Sequence, residues 1–188
     1  MSQIDYRIKK VLFDQATLEN RIKELANWVN ETYKDSKNLI IVGLLKGCLP
    51  FLAQLIKDVT VDFVLDCMIT SSYDGKDRSS GNVKITLDLQ NNIADKDVLI
   101  VEDIVDSART MTKVVSLLKS RNPKSLKVLT LLDKPSGRLV EFKQDNFGFE
   151  IGKNDFVVGF GFDWEEKMRQ LPYIGLLTDK EINKHKKH

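Results

Sequence analysis

Histidine is almost missing from this chain: its 188 residues include two, His185 and His188, both in the terminal run "KHKKH". That argues against a histidine general base or a histidine-ligated zinc inside the fold, and leaves acid–base chemistry to carboxylates, lysines or tyrosines. Cysteine is equally scarce. Cys48 and Cys67 are the only two, each in an apolar stretch, which reads as two free, buried thiols in a reducing compartment and no sulfur-rich metal cluster. No charge of one sign dominates, because 29 lysines and arginines face 27 aspartates and glutamates for a net charge of +2. There is thus no general electrostatic pull toward nucleic acid or membrane. No apolar run reaches membrane-spanning length and "MSQIDYRIKK" carries no signal-peptide apolar core, so a cytoplasmic protein is expected.

What the chain does have is enough apolar residue, 42%, for one well-packed domain. Leu18, Ile22, Leu25, Ala26, Val29 and Tyr33 recur at helical spacing and predict an amphipathic helix over residues 17–34, with Thr17 as N-cap. "NLIIVGLL" is a buried-strand run, followed by the break "KG" and a helix-like "LPFLAQLIKDV" with Pro50 in its first turn. "VDFVLDCMITSSY", "NVKITLDL", "DVLIVE" and "LKVLTLL" predict further strands, and "TMTKVVSLLKSR" a helix. Strands alternating with helices predict an α/β fold, a mainly parallel twisted sheet covered on both faces. Ligands bind at the carboxyl ends of such strands, where "LKG", "EDIVDSART" and "DKPS" all fall. The polar segment 72–82, "SYDGKDRSSGN", reads either as a solvated loop or as a lid over a site. The late stretch "FVVGFGFDWEEKMRQLPYIG" reads as a strand plus a flap over the sheet edge.

The common nucleotide motifs are absent: "GLLKGC" lacks P-loop spacing, and "GFGFDW" neither leads from strand to helix nor carries a third glycine. The richest stretch is "VEDIVDSART". A strand that turns into a helix exposes free amides suited to a phosphate, and Ser107, Thr110 and Arg109 add donors. Glu102 and Asp103 stand where carboxylates accept hydrogen bonds from sugar hydroxyls or hold a hydrated magnesium ion. Asp106 is placed to take or give a proton. Taken alone, Asp106 and Ser107 would read as helix caps.

"VLIVEDIVDSART" resembles the phosphoribosyl diphosphate loop of the type I phosphoribosyltransferases. "LLKGCLPF", "SSYDG", "LLDKPSGR", "FVVGFGFDW" and "RQLPYIG" resemble, in family order, further blocks of the 6-oxopurine branch, the hypoxanthine-guanine phosphoribosyltransferase family. The resemblance implies one domain spanning residues 1–188, with a core over about 36–140 and a small hood from about 1–15 and 141–188. It implies a pentosyl-transferring glycosyltransferase of purine salvage. A phosphoribosyl group would move from phosphoribosyl diphosphate to hypoxanthine or guanine, giving IMP or GMP and pyrophosphate, with Mg²⁺ as cofactor. A homo-oligomer, dimer or tetramer, is expected by resemblance alone, and no nucleic-acid or membrane partner.

By the same resemblance Lys46, Gly47 and Arg169 neutralise the leaving pyrophosphate, and an unusual cis peptide falls between Leu45 and Lys46. Ser72 and Tyr73 belong to a flexible catalytic loop. Glu102 and Asp103 face the ribose and the metal, with Asp163 as a further metal contact, and Asp106, Ser107, Ala108, Arg109 and Thr110 cradle the 5-phosphate. Asp106 is the proton acceptor for the purine imidazole ring. Lys134 donates to the 6-oxo group, and so selects against adenine, whose amino group is itself a donor there. Phe156 stacks on the base, with Val157 and Asp163 at its other edge. The alternatives are a xanthine-preferring transferase and a non-catalytic nucleotide-sensing regulator on the same fold. One position departs from the family: Ala108 stands where glycine is usual. Either its φ is negative and the methyl is tolerated, or alanine at positive φ costs roughly 1 kcal/mol and weakens phosphate affinity; tolerance is the expectation.

Overall fold

Buried runs of leucine and β-branched residues build the centre of the structure, a computed structural model that describes residues 4–72 and 83–185. β2 (Leu39–Leu45) is buried along nearly its whole length. It pairs in parallel with β3 (Phe63–Ser72) on one side and β5 (Asp97–Val105) on the other. β5 continues in parallel to β6 (Ser125–Asp133) and β6 to β7 (Asn146–Glu150), while β4 (Val83–Leu87) runs antiparallel along β3. The strand order β4-β3-β2-β5-β6-β7 is the mainly parallel sheet that the alternating pattern predicts. β7, "NFGFE", was not anticipated.

Side-chain alternation along β2 and β5 feeds two separate cores, as expected of strands covered on both faces. Leu39, Ile41, Leu99 and Val101 meet α1 (Gln15–Tyr33) and α2 (Leu49–Leu55). Ile40, Val42, Val98 and Ile100 meet Met111, Val114 and Leu118 of α3 (Arg109–Lys119). α1 begins two residues before the expected start. Its cap is Asp14, whose carboxylate accepts from the Thr17 amide at 2.8 Å, so Thr17 is the capped residue rather than the cap. α2 carries Pro50 in its first turn as expected but stops at Leu55, short of the predicted end.

A second, antiparallel sheet of order β1-β9-β8 joins the two ends of the chain: β1 (Ile8–Phe13), β8 (Val157–Val158) and β9 (Ile174–Leu177). The segment expected as a strand and flap over the sheet edge therefore enters a sheet of its own. Its Val157, Phe160, Phe162 and Ile174 pack into the α1/α2 core. α4 (Asp179–His185) follows. Both cysteines are free, Cys48 buried as expected but Cys67 only partly so. Cys67 sits on β3, on the same face as the exposed Leu65. No helix among the described residues is long and apolar enough to cross a membrane.

Candidate active site

At the carboxyl end of β5 the burial that holds from Asp97 to Val101 gives way to partly exposed residues. The alternation also slips there. Leu99, Val101 and Ile104 all pack in the α1/α2 core, whereas Val98, Ile100 and Val105 pack in the α3 core. Glu102 and Asp103 stand at this slip. Each accepts a hydrogen bond from the next residue's amide, Asp103 N to Glu102 Oε1 at 3.1 Å and Ile104 N to Asp103 Oδ1 at 2.7 Å. Burial pushes the Glu102 carboxyl well above the usual glutamate range, and the adjacent Asp103 charge adds to it. A crowded acid pair of this kind has the oxygen acceptors that a cation or sugar hydroxyls could use.

The two acids line a cavity of about 310 Å³ with Lys46, Gly47, Thr70, Asp106, Ser107, Ala108 and Thr110. The Leu45–Lys46 peptide on its rim is cis. Gly47 leaves room for the Asp103 carboxylate: a Cβ on it would lie 1.7 Å from Asp103 Oδ2. The floor is the start of α3, whose N-cap is Ala108, with no side chain capping the first turn. Asp106 and Ser107 are therefore not helix caps; Ser107 Oγ takes only a long bond of 3.5 Å from the Arg109 amide. The first-turn amides are left for an anion at the positive end of the helix dipole. Ala108 has φ 63°. Negative φ, the first of the two possibilities open for this residue, is thus excluded, and its methyl is buried in the α3-side core. Arg109 is exposed and does not line the cavity.

Lys134 and Asp106 meet at the ends of adjacent strands, Nζ to Oδ2 at 3.5 Å. Lys134 Nζ also reaches the Asp155 carbonyl at 3.4 Å. Gly137 makes room for the Asp106 carboxylate, since a Cβ there would lie 1.8 Å from Asp106 Oδ1. Arg138, which the sequence did not single out, fastens this corner. Its guanidinium donates to the Asp106 carbonyl at 2.7 Å and also to the Val105 carbonyl and to Asp133, and reaches the Lys134 carbonyl at 3.5 Å. Phe156 is 41% exposed and is propped edge-on by Trp164, ring centres 4.9 Å apart at 87°. Its neighbour Val157 is buried in β8.

A third group gathers beside the cis peptide. Arg169 donates to the Gly161 carbonyl at 2.8 Å and pairs with Asp163 at 2.9 Å and Glu166 at 3.2 Å; Glu166 also pairs with Lys46 at 3.0 Å. Asp163 thus pairs with Arg169, and the described residues hold no cluster of three or more acids, cysteines or histidines that could bind a metal. Of the loop residues, Tyr73 and the segment after it to residue 82 lie outside the described residues; Ser72 ends β3, with its side chain not described. Glu166 and Trp164 were not among the expected site residues, although both sit inside "FVVGFGFDWEEKMRQLPYIG".

The phosphoribosyl transferase domain model matches residues 10–167. A curated hypoxanthine-guanine phosphoribosyltransferase of Lactococcus lactis is 45% identical over 96% of this chain and 97% of its own length. A solved hypoxanthine phosphoribosyltransferase of Staphylococcus aureus superposes with a TM-score of 0.88 at 40% identity, covering 93% of this chain and 94% of that one. A Trypanosoma cruzi hypoxanthine phosphoribosyltransferase, a point mutant complexed with the product IMP, superposes with a TM-score of 0.91 at 33% identity over 97% of this chain and 98% of its own.

Proposed function

The chain belongs to the phosphoribosyl transferase family, in its hypoxanthine-guanine branch, and from that premise we propose how its site performs the reaction. It transfers the 5-phosphoribosyl group of phosphoribosyl diphosphate to a 6-oxopurine, hypoxanthine or guanine, yielding IMP or GMP and pyrophosphate. The xanthine-preferring and non-catalytic alternatives are not favoured, since relatives that match almost the whole chain are hypoxanthine(-guanine) transferases.

The observation that carries the site reading is the Lys134–Asp106 pair, a donor and an acceptor 3.5 Å apart, of which Asp106 lines the cavity. On a 6-oxopurine the carbonyl at position six and the imidazole N–H are neighbours on one edge. Lys134 donates to that carbonyl while Asp106 accepts the ring proton as the new bond forms at carbon one. Adenine offers an amino donor to Lys134 and is rejected. Phe156 presents an open ring face for stacking. The ribose 5-phosphate sits on the uncapped first turn of α3, held by its amides, Ser107 and Thr110. Lys46 and Arg169 meet the pyrophosphate, whose departure leaves a ribose of oxocarbenium character.

Glu102 and Asp103 are hard oxygen donors crowded at the cavity edge, and the raised Glu102 carboxyl is the response of an acid to burial beside a second negative charge. They fit Mg²⁺, which when bound supplies charge neutralisation to the diphosphate. The chain is proposed as one transferase domain of the cytoplasm that assembles as a homo-oligomer. Incubating purified protein with phosphoribosyl diphosphate, Mg²⁺ and each of hypoxanthine, guanine, xanthine and adenine tests the reading. Nucleotide from the first two is expected; no nucleotide from any base would sink it.

A further inference from the structure

Residues 164–167 form a tight hairpin, with paired backbone bonds between Trp164 and Lys167 at 2.9 and 3.0 Å. Its two central residues, Glu165 and Glu166, have φ of 54° and 61°. Two successive residues of positive φ define a turn that strongly prefers asparagine and glycine. Two glutamates there work against local preference, and residues held in this way cluster at functional sites. The turn is further fixed by a bond of 2.9 Å from the Glu166 amide to Asp163 Oδ2. It aims one carboxylate oxygen, Glu166 Oε2, at both Lys46 Nζ, 3.0 Å away, and Arg169, 3.2 Å away. The base of the hairpin rests on the same loop that carries Lys46: a Cβ on Gly161 would lie 2.0 Å from the Gly47 carbonyl.

Lys46 and Arg169 are the two cations that the site reading gives to pyrophosphate, and a carboxylate oxygen bridging them stands where an anionic phosphate oxygen would. We propose that Glu166 is an internal counter-anion that competes with the diphosphate group for Lys46 and Arg169, and so sets the affinity for phosphoribosyl diphosphate and pyrophosphate. This rests on the assignment of those cations to the diphosphate. Before substrate binds, Glu166 keeps the two cations gathered; the diphosphate must displace it; and as pyrophosphate leaves, the carboxylate returns and hastens the departure. Both ion pairs are solvent-exposed, with Lys46 and Glu166 side chains 61% and 68% accessible, so the competition is of modest strength and sensitive to salt.

The experiment measures the pyrophosphate inhibition constant and the KM values in the wild type and in Glu166→Gln, Glu166→Asn and Lys46→Met, at low and high ionic strength. Both Glu166 variants lose the charge, and asparagine also suits the positive φ. Expected in both is a fall of about 3- to 10-fold in the pyrophosphate constant and in the KM for phosphoribosyl diphosphate. The fall shrinks at high salt, with the KM for the purine unchanged. Unchanged or weakened pyrophosphate binding in both variants overturns the proposal, as does tightening in the asparagine variant alone, which would mark relief of the turn rather than loss of a competing charge. Lys46→Met separates the layers. If it does not weaken pyrophosphate binding, the assignment of the cations fails; if it does and the Glu166 variants do not tighten, only the role of Glu166 fails.

Discussion

β5 carries acids at both of its ends, and they are treated in opposite ways. At the amino end, Asp97 is buried and receives three donors from two parts of the chain: Ser36 Oγ at 2.6 Å, and the adjacent Ser125 Oγ at 2.7 Å and Lys124 Nζ at 3.2 Å. Burial by itself would raise its pKa, but these bonds outweigh it and hold the carboxyl below the usual range. Asp66 on β3 is handled likewise, by the amides of Cys67, Gln90 and Asn91 and the Asn91 side chain. At the carboxyl end of β5, Glu102 and Asp103 have, among the described residues, only adjacent amides and each other as hydrogen-bond partners. An acid supplied with donors by its own chain serves the fold; an acid left short of them beside a cavity is available to a ligand.

The comparison breaks if the two ends can exchange consequences. The largest effect is expected from Asp106→Asn, a drop in turnover of about 10²- to 10⁴-fold, or ~3–5 kcal/mol, with unfolding temperature and phosphoribosyl diphosphate binding nearly unchanged. Steady-state kinetics beside calorimetry read both. Next comes Asp97→Ala, which orphans three donors and should cost about 2–3 kcal/mol of stability, lowering Tm by roughly 4–12 °C while the folded fraction keeps wild-type turnover. A stable Asp97→Ala protein without activity would erase the distinction between the ends.

Glu102→Gln sharpens it from the other side. A carboxyl whose folded pKa is raised binds its proton more tightly when folded, so it costs stability as pH rises from the ordinary glutamate value through the raised one. In protein free of magnesium and substrate, the glutamine variant should therefore melt higher than wild type at neutral pH, by about 2–4 °C for each ~1 kcal/mol relieved. The gain should vanish in acid below the ordinary glutamate pKa, and the KM for phosphoribosyl diphosphate should rise. The smallest effect is expected from Ala108→Gly. Relief of a left-handed backbone worth about 1 kcal/mol is offset by loss of a buried methyl and a floppier unfolded chain. Stability should move by less than about 1 kcal/mol, and a change under roughly threefold in KM for phosphoribosyl diphosphate would show that the cradle tolerates the methyl.

The central sheet was legible because β2 and the 98–101 stretch of β5 are apolar runs, and α1 because six buried positions recur at helical spacing. Its start was misplaced because Asp14 and Thr17, three apart, are both residues that cap. β1 was not legible as a strand. Two register shifts in its pairing with β9 break the alternation that marks a strand, and its partner lies at the other end of the chain. β7 and β9 are five and four residues long, each with a glycine, too short to show a period. In the site, residues lying in one block, such as 102–110, could be read together. Glu166 and Arg138 could not, since what distinguishes them is what they touch, Lys46 across 120 residues and the backbone of Val105 and Asp106 across more than 30.

Arg138 has a consequence for measurement at the atomic scale. The two groups proposed to meet the edge of the base lie just past the ends of adjacent strands, so the gap between them depends on how those ends are held together. One guanidinium that reaches the carbonyls of Val105, Asp106 and Lys134 reinforces, from behind, the bond of 3.1 Å from the Lys134 amide to the Val105 carbonyl that already joins the two ends. On the proposed reading, which bases fit then depends in part on a side chain set behind the pair.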